Sequence, residues 1–123
     1  MVGSGSTEAT IVADVAGADA VSLAEGALLR SYRFDKYRTK EPESKKPTLK
    51  AVNIATASGD AGKAFETRKA VVDGVFLTRD LISEPANILY PESFAERIGE
   101  LTDLGIEVEV LGEAEMSKLG MGA

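Results

Sequence analysis

The chain has 123 residues, 44% of them hydrophobic, with a net charge of -6; this suffices for one globular domain with a modest core and not for two independent cores. Histidine and cysteine are both absent, which excludes disulfides, Cys or His zinc sites, thiol nucleophiles and imidazole-dependent triads, and leaves carboxylates, lysines, tyrosines and hydroxyls as catalytic material. No run approaches the ~20 apolar residues of a membrane span, and no basic region followed by an apolar run opens the chain, so a soluble, cytoplasmic protein is expected.

Residues 1–8, MVGSGSTE, are small and polar and read as a flexible tail or leader. Thr10 to Ala13 is a short β-branched run ending at Asp14, the first predicted strand. Ala18 to about Phe34 reads as a helix, with Ala20, Leu23, Ala24, Ala27 and Leu28 at helical spacing and Asp19 near the positive end of the dipole. Gly26 inside it implies close approach of a neighbouring backbone, because glycine there costs ~1 kcal/mol relative to alanine. TKEPESKKP, Thr39 to Pro47, is a surface linker by composition. Leu49 to Thr56 is a second strand, too apolar for a fully exposed edge.

Lys63 to Ile82 is the longest predicted helix, with Ala64, Val71, Val72, Val75, Phe76 and Ile82 as its apolar stripe and Lys69 four residues before Asp73. Pro85 and Pro91 then bar Glu84 and Tyr90 from helical geometry, so the segment between them runs extended or in turns. Asn87, at ease in turns, sits between the prolines. Pro91 and Glu92 start another helix, with Phe94, Ile98 and Leu101 on one face and Gly105 in the place of a C-terminal cap. GIEVEVLG predicts a third strand, with Ile106, Val108 and Val110 on one side and Glu107 and Glu109 on the other. A short helix from Glu113 to Leu119 stops at Gly120. The order β-α-β-α-α-β-α, with no internal repeat, predicts an α/β fold in which helices pack against a sheet.

Three groups of residues offer chemistry, each with a bland alternative. From Arg30 to Lys50 there are eight basic residues against three acidic ones, a net +5 that leaves -11 elsewhere. With Tyr32, Phe34 and Tyr37 interleaved, this stretch can be read as a surface for an anionic partner such as nucleic acid, or as a solvated helix end and loop. Asp73, Asp80 and Glu84 are spaced seven and four apart along one helical face, either as carboxylates for a metal or as a solvated, salt-paired face. Glu84 and Asn87 at the break are either polar groups offered to a ligand or parts of a structural turn.

Three blocks carry a resemblance: AEGALLRSYRFDKYRTK (Ala24 to Lys40), GVFLTRDLISEPANILYPESFAERI (Gly74 to Ile98) and GIEVEVLGEAEMSKLGMGA (Gly105 to Ala123). In order and at compatible spacing, they resemble the leucyl aminopeptidase family, also called cytosol aminopeptidases. That family's members have an N-terminal α/β domain, a connecting helix and a C-terminal catalytic domain with two divalent metal ions, usually zinc, manganese or magnesium, assembled as hexamers. The resemblance implies that residues 9–58 correspond to the end of the N-terminal domain, 59–84 to the connecting helix and 85–123 to the start of the catalytic domain. The family's metal-binding and catalytic residues lie in motifs such as VGKGxTFDxGG and NTDAEGR, which do not occur here. No catalytic, cofactor-binding or metal-binding residue therefore carries over to any position of this chain.

The resemblance implies a part of a metallo-aminopeptidase that is structural, connecting and assembly-forming, and inactive without the missing catalytic half. The alternative is a stand-alone module whose Arg30 to Lys50 stretch holds an anionic partner; an enzyme of a new, carboxylate-based kind finds no organised site in the sequence. Short strands divided between two sheets would leave open edges, so self-association, a partner chain or an altered fold is expected.

Overall fold

The computed structural model describes residues 5–14 and 19–122. They group into two compact units, one ending at Asp80 and the other starting at Leu81. In the first unit, β1 (Glu8–Val12), α1 (Ala20–Ser31) and β2 (Ala51–Ala55) form a β-α-β arrangement. The strands pair in parallel, Glu8 opposite Ala51 through Val12 opposite Ala55. Parallel neighbours need a long crossover, which α1 and the Tyr32 to Lys50 segment supply. Beyond the paired residues, the amide of Ala13 donates to the Ala55 carbonyl at 2.8 Å and that of Lys50 to the Thr7 carbonyl at 2.7 Å. The Thr48 hydroxyl also donates to the Ser6 carbonyl at 3.1 Å, so residues 6–8 are bound to the sheet. Residues 1–4 of the 1–8 segment lie outside the described residues, as does Ala18, the expected first residue of α1.

Asp19 is the N-cap of α1. Its carboxylate accepts from the amides of Val21 at 3.1 Å and Ser22 at 3.3 Å and from the Ser22 hydroxyl at 2.5 Å, meeting donors that the first helical turn cannot satisfy internally. A Cβ placed on Gly26 would meet no heavy atom within 4 Å. Among the described residues, the close approach expected at this glycine is therefore not present.

After a single short 3-10 turn (Glu43–Lys45), β2 leads to α2, Ala61–Ser83. Helix α2 is fastened to the end of α1 at several points. The Tyr32 hydroxyl donates to Asp80 at 2.8 Å, the Arg79 guanidinium donates to the Leu29 carbonyl at 3.1 Å, and the Tyr32 and Phe76 ring centroids lie 5.2 Å apart. Arg79 also stands 5.3 Å from the Tyr32 ring centroid, and Arg68 reaches Glu25 at 3.5 Å. Among the described residues only Ala13 and Val72 are buried, Val72 with no accessible surface. The expected apolar stripe of α2 thus splits: Val72 is covered, whereas Val71 and Ile82 are exposed.

In the second unit, a turn at residues 86–88 separates α2 from α3, Pro91–Gly99. The amides of Ile88 and Leu89 both donate to the Pro85 carbonyl at 2.9 Å. Ser93 pins the start of α3: its hydroxyl oxygen accepts from the Tyr90 amide at 3.0 Å, and the hydroxyl donates to the Ile88 carbonyl at 2.9 Å. The helix tightens into a 3-10 turn, Glu100–Leu104, and ends at Gly105 with φ 82°. The amides of Gly105 and Ile106 donate back to the carbonyls of Thr102 and Leu101. This is a Schellman closure, which needs the left-handed residue that glycine supplies. Helix α4, Glu113–Lys118, closes the same way. Gly120 has φ 74° and donates to Ser117, while Met121 donates to Met116.

The α/β class holds, with one correction to the element order. Residues 106–110 form no strand; the sheet is two-stranded, β1 and β2. Alternation prepares a segment for a sheet but cannot make one, because a strand exists only by bonding to a neighbour. Among the described residues of the second unit no strand lies ready to receive it.

Candidate functional site

Asp73 and Asp80 of α2, and Glu84 just past its last residue, each have a different partner. Asp73 takes the Lys69 ammonium at 2.9 Å, one turn away. Asp80 accepts the Tyr32 hydroxyl. Glu84, its side chain 2% exposed, faces Arg97 at 3.2 Å within the second unit. Lys69 is held above the usual lysine range by its hydrogen bond to Asp73 and by that carboxylate's charge. Each carboxylate is thus occupied in positioning a cation or a phenol. Among the described residues no three acidic groups converge in the way a metal ion requires.

The basic stretch is also partly answered from within. Arg33 pairs with Asp35 at 3.3 Å and with Glu41, Arg38 approaches Glu41 at 3.8 Å, and Lys46 pairs with Glu43. Lys46 is held above its ordinary range, chiefly by that hydrogen bond to Glu43. All three acids of the stretch, Asp35, Glu41 and Glu43, are therefore engaged by its own bases. The aromatic residues divide. Phe34 and Tyr37 contact each other edge to face at 5.8 Å, with Lys36 5.5 Å from the Tyr37 ring, while Tyr32 belongs to the α1–α2 junction. At the break, Asn87 lies exposed in the 86–88 turn and Glu84 is taken up by Arg97.

One feature was not legible in the sequence. The first unit carries a groove of about 850 Å³, running along β2 between α1 and α2. Leu28, Leu49, Val52, Ile54 and Phe65 give it apolar walls, and Arg30, Arg33, Lys50 and Lys69 line it with positive charge. No carboxylate lines it. Its walls come from Ile11, α1, β2 with its flanks and the start of α2, so no local pattern announces it; the excess apolar character of Leu49 to Thr56 was the nearest signal.

Comparison with known proteins places this geometry. A family model described as "Cytosol aminopeptidase family, catalytic domain" matches residues 76–123. The chain is 55% identical over 111 residues to a probable cytosol aminopeptidase of Caulobacter vibrioides, an overlap of 87% of this chain and 22% of that protein. It is 49% identical over 112 residues to the probable cytosol aminopeptidase of Brucella melitensis, covering 89% of this chain and 23% of the relative. Among solved structures, the bottromycin maturation enzyme BotP in complex with Mn is similar with a TM-score of 0.73 and 31% identity, over 95% of this chain and 25% of BotP. The chain spans about a fifth of the length of the curated relatives it matches.

Proposed function

Since this chain belongs to the leucyl, or cytosol, aminopeptidase family, we propose that it serves the metal-dependent removal of N-terminal amino acids from peptides, leucine preferably, as a scaffold rather than as the bearer of the chemistry. In this role residues 9–58 complete an N-terminal α/β domain, 59–84 connect, and 85–123 begin the catalytic domain. The observation that carries this reading is the identity of 55% over 111 residues to a protein of which those residues are 22%.

A complete enzyme of this kind would hold two divalent ions, zinc or manganese, that activate water and polarise the scissile carbonyl. The residues described here do not fit such a centre, because Asp73, Asp80 and Glu84 are each engaged elsewhere. The ligands and the catalytic groups belong to the rest of the enzyme. What this segment contributes is placement: the α1–α2 junction fixes the direction of the connecting helix, and the capped turns around Pro85, Pro91 and Gly105 deliver the chain to the catalytic domain. Assembly into hexamers in the cytoplasm completes the proposal.

Incubated with manganese or zinc and a leucine amide, the 123-residue chain is expected to show no turnover, and supplying the remaining part of a cytosol aminopeptidase is expected to restore it. Hydrolysis by the pure chain at the rate of a complete enzyme would overturn the scaffold role.

A further inference from the structure

The groove along β2 has an apolar body and a cationic end. Lys50, Val52, Ile54 and Thr56 alternate along the chain and so share one face of the strand, and all four line the groove. Ala20, Ala24, Ala27, Leu28 and Ser31 recur at helical spacing on α1 and line it from the other side. The alanines of that row leave open a volume of about 850 Å³ that larger side chains would take up, a volume in the range of small-ligand sites. Because β1 and β2 are parallel, α1 runs back against them, and its last turn comes to the end at which β2 begins. Arg30 and Lys50 therefore stand at one end of the groove, with Val21 and Thr56 toward the other. The remaining cations of the lining, Arg33 and Lys69, are paired with acids outside it, whereas Arg30 and Lys50 have no ion pair among the described residues.

We propose that this groove binds a small amphipathic anion, a medium-chain carboxylate, with its carboxylate at Arg30 and Lys50 and its chain laid over Val52 and Ile54 beside the α1 alanines. The apolar walls alone would accept any hydrocarbon. The two unanswered cations at one end are what call for an anion and fix its direction, since no carboxylate among the described residues lines the groove to neutralise them. Arg30 lies in the last turn of α1, where it offsets the negative end of the helix dipole, so both cations are needed to hold an anion there. This goes beyond the aminopeptidase reading, and its test reads binding rather than activity, so either can fail alone.

Isothermal titration calorimetry of the chain with octanoate, decanoate and dodecanoate, each below its micelle concentration, is expected to show saturable binding that tightens by about fivefold for each step of chain length. Dodecyltrimethylammonium, with the same tail and the opposite charge, is expected to bind about tenfold more weakly than dodecanoate or worse, and salt should narrow that gap. Arg30→Gln with Lys50→Gln removes the cations from two exposed side chains and is expected to abolish the preference for the anion while leaving the dependence on chain length. Ala24→Leu fills the apolar body and leaves the cations, and is expected to cost dodecanoate about tenfold and octanoate less. Circular dichroism checks that both variants keep the fold. Absence of saturable binding, equal affinity for the ammonium, or affinity indifferent to both variants would each overturn the proposal, as would sedimentation showing a dimer that dodecanoate disperses, which would give the groove to a second copy of the chain.

Discussion

The two units are held together by different kinds of contact. In the unit ending at Asp80, the fastening bonds join residues far apart: Tyr32 to Asp80 across 48 positions, Arg79 to Leu29 across 50, the Ala57 amide to Asp14 across 43. In the unit starting at Leu81 the side-chain bonds reach less far: Arg97 to Glu84 spans 13 positions, and Ser93 to Ile88 and Thr102 to Gly99 close single turns. No described residue of the second unit is buried, whereas the first unit encloses Val72 completely. Short helices gain most of their stability from tertiary burial. The comparison teaches that well-formed caps and turns give a segment its local shape without giving it a core.

The sharpest way to break this contrast is Val72→Ala. Removing two methyl groups from a side chain with no accessible surface is expected to cost about 2 kcal/mol, the transfer of the lost carbons plus the cavity they leave. Denaturant unfolding should show the loss, and hydrogen exchange should locate it in amides of the first unit while protection of residues 91–118 barely moves. Tyr32→Phe is a smaller cut at the same junction. It deletes the hydroxyl that Asp80 accepts but keeps the ring beside Phe76 and Arg79. A loss of about 1 kcal/mol is expected, again confined to the first unit. Equal loss of protection in both units for either variant would mean that they unfold as one body.

Much of this was legible because it is local. Asp19 at the start of α1, Pro91 opening α3, Gly105 and Gly120 closing their turns, and the Lys69–Asp73 pair all depend on residues within five positions of each other, and sequence spacing reports such relations directly. The α/β class followed from the alternation of elements. Gly26 and residues 106–110 were read differently from what is observed, for one reason. A close approach or a strand requires a neighbour, and no local pattern says whether the neighbour is present. Tyr32 shows the same limit from the other side. Among arginines and lysines it looked like part of a ligand surface, yet its partners, Phe76, Arg79 and Asp80, come from α2. The groove beside β2 was hidden for the same cause.

The smallest expected effect separates the local kind of stability from the other by pH. The Asp19 carboxyl is held below its ordinary value of 3.8, first by the Ser22 hydroxyl and then by the Val21 amide. A lowered folded-state pKa means that the unfolded chain takes up its proton first. The cap's contribution is therefore complete above about 3.8 and is lost as pH falls below that through the folded-state value. Asp19→Asn keeps an oxygen that can accept the same amides but cannot titrate. The wild type is expected to exceed this variant slightly in helix content and melting temperature at neutral pH, and the difference should shrink to nothing well below pH 3.8. Because the group is exposed, added salt should reduce the advantage as well. An advantage that persists at low pH would place the cap's contribution in the geometry of its oxygen rather than in its charge.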